Sequence, residues 1–118
     1  MSVAIRRAYE EPGPADGTRV LVDRLWPRGL SKERAAVDLW LKDVSPSPEL
    51  RRWYGHDPAK WDEFQERYRT ELRQNKDAVD ELRRKCRGKT VTFVYAARDA
   101  AHNSALVLKD YLAGRGQG

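Results

Sequence analysis

Val91-Thr92-Phe93-Val94-Tyr95-Ala96-Ala97-Arg98-Asp99-Ala100-Ala101-His102-Asn103 decides the fold of this 118-residue chain. Its first half is β-prone and almost wholly apolar, so Thr90 to Ala97 is read as a central strand; strands buried on both faces look like this. Its second half turns polar at once and passes into a helical pattern, with Ala101, Ala105, Leu108 and Leu112 on one face. A last helix is therefore expected from about Asp99 to Ala113. The same junction occurs earlier, where Val20-Leu21-Val22 is followed by Asp23-Arg24-Leu25-Trp26-Pro27-Arg28-Gly29. In α/β proteins ligands gather where strands end and helices begin, so the two polar clusters are expected to converge on one site.

Working outward, Val3-Ala4-Ile5 is a short strand that runs into the loop Glu10 to Gly17. Arg19 to Val22 reads as a buried strand stopped by Pro27 and Gly29. Ser31 caps a short helix through Ala36. Val37 to Val44 is expected as a third strand, with Val37, Leu39 and Leu41 toward the core and Trp40 and Lys42 opposite. Ser47-Pro48-Glu49 is a helix start that combines a cap, a fixed φ and an acid near the positive dipole end. That helix buries Leu50, Trp53 and Tyr54 and stops at Gly55, and Asp57-Pro58 opens the next. Trp61, Phe64, Tyr68, Leu72, Val79, Leu82 and Cys86 then recur at gaps of three, four and seven residues, one helical stripe. Asn75 falls on the stripe, which marks Gln74 to Asp77 as the place for a bend or break. Gly114, Gly116 and Gly118 are expected to fray. The reading is a single α/β domain with a three- or four-stranded, mainly parallel sheet flanked by helices, one of them a long amphipathic helix from about Pro58 to Cys86.

Composition narrows the class. The length suits one domain with a real core, and neither an internal repeat nor an inter-domain linker is visible. A net charge of +5 favours anionic partners without demanding them. The lone Cys86 allows no internal disulfide. Met1 to Tyr9 lacks a signal-length apolar stretch, and no run approaches the ~20 apolar residues of a membrane span. A cytoplasmic protein with no membrane contact is expected.

The clusters supply the chemistry. Arg98 offers a bidentate donor fork, and Asp99, His102 and Asn103 are expected at the start of the last helix, where free N–H groups favour phosphate or carboxylate. Arg24 and Arg28 flank Trp26-Pro27, which together make an anion pocket with an aromatic wall. Asp23 is expected to orient an arginine or accept a proton. If the site is catalytic, His102 is the proton donor or acceptor. His56 either joins this cleft or caps the helix before it. Two histidines and one cysteine without ligand spacing do not make a zinc site, and neither metal nor cofactor is expected. Cys86 reads as packed rather than reactive, and Ser104 lacks a base partner. The leading expectation is a small anionic ligand at the strand ends. Two alternatives stay open: a nucleic-acid-binding module using the basic run Arg83, Arg84, Lys85, Arg87 and Lys89, or a plain interaction domain with exposed Trp residues. The sequence leaves the oligomeric state open.

Four segments carry a family resemblance: Arg19 to Gly29, Trp40-Leu41-Lys42-Asp43-Val44-Ser45-Pro46-Ser47, Trp53-Tyr54-Gly55-His56-Asp57-Pro58 and Tyr95 to Asn103. In this order they resemble the YeaO-like proteins, small bacterial members of a domain family of unknown function. The resemblance spans nearly the whole chain and implies a mostly parallel α/β domain, with no established activity. Longer relatives carry a Cys and a Glu at the last strand end and then Cys-His-Arg. The matching positions here are Ala96, Arg98, Ala101, His102 and Asn103, so of those groups only the histidine is retained, and the exchange of Glu for Arg98 suits the loop to an anion.

Overall fold

A computed structural model describes residues 1–114. Four strands, β1 (Ser2–Arg7), β2 (Thr18–Leu21), β3 (Leu39–Trp40) and β4 (Thr90–Tyr95), form one sheet in the order β1-β4-β2-β3. Every pairing is parallel. The register sets Arg7 beside Tyr95, Leu21 beside Val94 and Trp40 beside Leu21. All four carboxyl ends therefore emerge at one end of the sheet.

Five helices surround it: α1 (Lys32–Ala35), α2 (Pro48–Tyr54), α3 (Trp61–Gln74), α4 (Lys76–Cys86) and α5 (Ser104–Leu112). Alternation along the strands divides the core. Val20, Val91, Phe93 and Tyr95 face the layer of α2 to α5, where Phe64, Tyr68, Leu72, Val79, Leu82, Cys86 and Leu108 close the main cluster. Burying one such side chain is worth about 1.5–3 kcal/mol. Arg19, Leu21, Thr92 and Val94 alternate with these residues on the opposite face, and all are buried. There the sheet is covered by α1 and the loop after β1. The buried Arg19 guanidinium meets Asp16 at 2.6 Å and donates twice to the Ala35 carbonyl, at 3.1 and 2.9 Å. Thr92 Oγ1 donates to the Asp16 carbonyl at 2.8 Å. A buried ion pair is tolerable only when its remaining donors are satisfied in this way.

Local capping follows the sequence closely. The Ser31 and Ser47 hydroxyls accept from the amides of Arg34 and Leu50. Gly55 ends α2 in the left-handed conformation, φ 56°. Three expectations are revised. The long stripe is carried by two helices, α3 and α4, because the chain leaves helical geometry at Asn75 (φ −100°, ψ 49°), whose side chain donates to the Asp43 carbonyl. The third strand shrinks to Leu39–Trp40, since Lys42–Val44 winds into a 3-10 turn. Trp40 does face outward, and Leu39 and Leu41 pack against the core. The last helix starts at Ser104 rather than near Asp99, with Asn103 as its cap. Residues 96–103 are thus a loop and not the first turn of a helix. Of the tail expected to fray, Gly116 and Gly118 lie outside the described residues. Among the described residues, no helix is long and apolar enough to cross a membrane.

Candidate functional site

The helices after β2 and β4 leave the sheet on opposite faces: α1 packs over Arg19, while α5 joins the main cluster. Adjacent strands whose connections part in this way open a crevice at their carboxyl ends. A cleft of about 910 Å³ lies there. All eight side chains named from the sequence line it: Asp23, Arg24, Trp26 and Arg28 from the segment after β2, and Arg98, Asp99, His102 and Asn103 from the loop after β4. His56 lines it too, from the corner behind α2, where its φ of 58° follows the left-handed Gly55.

Each side is held by identifiable contacts. Pro27 is buried, and the Trp26 indole donates to the Leu30 carbonyl at 2.6 Å and meets Trp40 edge to face at 5.6 Å. Tyr9, just past β1, donates its hydroxyl to the Arg28 carbonyl at 2.8 Å. On the other wall, Asp99 accepts from the amides of Ala101 and His102, at 2.9 and 3.1 Å, and binds His102 Nδ1 at 2.8 Å. The Ala101 amide and the His102 ring hold its carboxyl below the ordinary aspartate range. An ionised carboxylate only accepts, so Nδ1 carries the proton and Nε2 is left as the acceptor of the neutral ring. That ring packs nearly perpendicular to Trp61, with ring centroids 5.2 Å apart.

Two expected roles change. Asn103 is buried and both its polar atoms are committed: Oδ1 accepts from Leu106 N at 3.1 Å and Nδ2 donates to the Asp99 carbonyl at 3.0 Å. It shapes the loop rather than offering a free amide. Asp23 orients no arginine by a direct ion pair among the described residues. Its carboxylate accepts from the Ala96 amide at 2.8 Å. Burial raises its pKa, only partly opposed by that amide and by the nearby Arg51 charge.

Sequence reasoning missed Arg51 and Arg52, which α2 contributes to the cleft wall. The apolar side of α2, Leu50, Trp53 and Tyr54, was legible, but no local signal says which neighbour its polar side meets. With them the cleft holds five arginines, Arg24, Arg28, Arg51, Arg52 and Arg98, against two aspartates. None of the five has a carboxylate oxygen within 4.0 Å among the described residues. The buried Arg24 Nε has no hydrogen-bond partner. Elsewhere Arg19 pairs with Asp16, Arg67 with Glu63 and Arg84 with Glu81. Arg7, Arg34 and Arg87 likewise meet no carboxylate within 4.0 Å among the described residues, and Arg69 Nε is also buried without a partner, so what marks the cleft is the convergence of five arginines on one space.

The basic run after the stripe sits at the other end of the sheet, because α4 leads into the amino end of β4. There Arg83 donates to the Leu112 carbonyl at 3.2 Å and Lys85 pairs with Glu81 at 3.3 Å. Cys86 is buried, and burial pushes its thiol pKa up, away from the reactive thiolate.

Comparison with known proteins agrees with the family resemblance. An uncharacterised protein of Mycobacterium tuberculosis is 48% identical over 113 residues, covering 96% of this chain and 95% of its own. A Mycobacterium bovis protein, also uncharacterised, matches equally. The uncharacterised protein YeaO of Escherichia coli is 38% identical over 112 residues, covering 95% of this chain and 97% of its own. No solved structure matches significantly. The family model described as the inactive DUF488-N3 subclade matches residues 2–117, and with the extent of the YeaO similarity this places the chain in that family, whose function is unknown.

Proposed function

We propose that the cleft binds a small ligand bearing a phosphate or carboxylate group. One observation carries the reading: five arginines without carboxylate partners surround a single crevice at the carboxyl ends of parallel strands. Five like charges against two aspartates leave a positive excess that costs stability, and an anion in the cleft relieves that cost. Guanidinium groups suit phosphate and carboxylate because their fork matches two oxygens at once.

Binding, rather than turnover, accords with the description of the subclade as inactive. The Asp99–His102 pair then positions an imidazole acceptor at the wall, which can take a hydrogen bond from a donor group elsewhere on the ligand but not from its anionic oxygens. In a catalytic version of the same site, that Nε2 is the acid–base group. The nucleic-acid alternative draws less support, since Arg83 and Lys85 are occupied by the Leu112 carbonyl and Glu81.

The test is titration with inorganic phosphate, followed by calorimetry and by amide NMR. Arg24→Ala and Arg98→Ala are each expected to weaken binding roughly ten-fold, about 1.4 kcal/mol. Arg83→Ala should leave it unchanged. Absence of any phosphate-dependent shift at the amides of Arg98 to Asn103 would count decisively against the proposal.

A further inference from the structure

The cleft lining includes buried residues as well as exposed ones. Tyr54 and Tyr95 both line the cleft, and they are only 6% and 4% exposed. Neither hydroxyl has a hydrogen-bond partner among the described residues. The contrast within the same protein is plain: the Tyr68 hydroxyl donates to the Val44 carbonyl, and that of Tyr9 donates to Arg28. Neither hydroxyl oxygen is sealed from solvent, so the two phenols present donors that the protein leaves unengaged to whatever fills the cleft. Burial raises the pKa of both, reinforced at Tyr54 by the Asp99 and Asp57 charges and at Tyr95 by Glu10 and Asp99 against the opposing Arg7. They therefore remain O–H groups at neutral pH. Around them the walls are apolar, with Phe64, Pro46, Ala96 and Ala97.

We infer that the ligand is an anion with a planar, ring-shaped body, its charge held by the cleft arginines and its polar ring edge held by the Tyr54 and Tyr95 hydroxyls. The inference rests on the anion-binding reading above and adds a substrate class to it. A free sugar phosphate fits less well. Each of its several hydroxyls would need a partner once buried, whereas the other polar side chains beside the two phenols are already engaged: Ser45 with the Lys42 carbonyl, Asp23 with the Ala96 amide, and Asn103 with the Leu106 amide and the Asp99 carbonyl. A heteroaromatic ring has apolar faces and only a few polar edge atoms, which matches that supply. A cleft of about 910 Å³ accommodates such a molecule with its phosphate. Nucleoside monophosphates are the accessible probe of this chemistry.

The experiment compares adenosine and uridine 5′-monophosphates, ribose 5-phosphate and inorganic phosphate by calorimetry. It uses the wild type, Tyr54→Phe, Tyr95→Phe and the double variant. At least one nucleotide is expected to bind about ten-fold or more tightly than ribose 5-phosphate. The double variant should bring that nucleotide down to the ribose 5-phosphate level and leave inorganic phosphate unaffected. Replacing Tyr by Phe removes an oxygen that bonds to no protein group, so melting temperatures should hold or rise, which separates recognition from folding. If phosphate and ribose 5-phosphate bind but neither nucleotide gains, the ring subsite is wrong and the anion reading survives. Unchanged nucleotide affinity in the double variant likewise overturns the subsite alone. If none of the four anions binds the wild type, both proposals fall.

Discussion

The Ala96 amide donates to the Asp23 carboxylate at 2.8 Å, across the gap where the chain leaving β2 parts from the chain leaving β4. A strand that ends at a crevice leaves its next N–H without a ladder partner, and such a group must find another acceptor. Asp23 supplies it. The same bond explains why a carboxylate stands among arginines without pairing with any of them. It braces two loops and carries a buried charge in a place where an incoming anion would be repelled.

Asp23→Asn separates the brace from the charge. Burial sets the folded-state pKa of Asp23 above its unfolded value. The folded protein therefore holds this proton more tightly, and the stability gained from it is present at low pH and declines as pH rises from the ordinary aspartate range through the raised value. Asparagine keeps an acceptor for Ala96 and abolishes the titration. In urea melts between about pH 4 and pH 7 the variant should lose less stability than the wild type as pH rises. With one repelling charge gone, phosphate should bind roughly five-fold more tightly, about 1 kcal/mol. Parallel pH profiles and equal affinities would show that the Asp23 charge is silent.

Ligand binding should be visible in thermal stability. An anion that binds only the folded state stabilises by mass action, about 2.7 kcal/mol at a hundred-fold excess over its dissociation constant. For a domain of this size that is a rise in Tm on the order of 10 °C. Arg98→Ala should melt like the wild type without phosphate, because Arg98 is exposed and without a carboxylate partner. Its phosphate-induced rise should be much smaller. An equal rise in both proteins would remove Arg98 from the site.

Asp99 makes a claim about a proton. Its contact with His102 Nδ1 at 2.8 Å holds the neutral imidazole in the Nδ1–H form. Nitrogen-15 NMR of the ring should show that form dominating in the wild type and losing ground in Asp99→Asn. Because the Asp99 pKa is lowered on folding, its contribution to stability is present above the ordinary aspartate value and fades as pH falls through the lowered one. The variant should thus differ from the wild type least at acid pH. Identical tautomer populations in the two proteins would mean that the pair does not set the ring.

Local signals and long-range ones were unequally legible in the sequence. Ser31, Ser47 and Gly55 act through their own helix ends, so residue type and position sufficed to place the short helices. The stripe from Trp61 to Cys86 named the core residues, and Asn75 marked its break. The start of α5 misled because Asp99 and Asn103 are both capping types, four residues apart. The chain uses Asn103, which can accept from Leu106 and donate to Asp99 at once, a double role closed to an ionised carboxylate. The eight candidate site residues were placed on two junctions by sequence alone. That Arg51 and Arg52 face the same crevice depends on how α2 packs on α3, and Asp23 meets Ala96 only because β2 lies beside β4. No local pattern encodes either fact.

Two glycines offer a controlled test of one tight contact. Gly17 and Gly29 both have left-handed backbone, with φ of 64° and 75°. A methyl group on Gly29 would meet nothing within 4 Å, whereas one on Gly17 would stand 2.3 Å from the Thr90 carbonyl oxygen. Gly17 leads into β2 where that strand pairs with the start of β4, so the collision is with backbone that cannot give way without disturbing the sheet. Gly29→Ala should cost about 1 kcal/mol, the penalty of the backbone conformation alone. Gly17→Ala should cost about 3 kcal/mol or more, since strain and clash add. Chemical denaturation of the two variants reads the difference. Equal losses would mean that β2 and β4 part easily at their amino ends, and that the close approach at Gly17 is not needed to align Asp23 with Ala96.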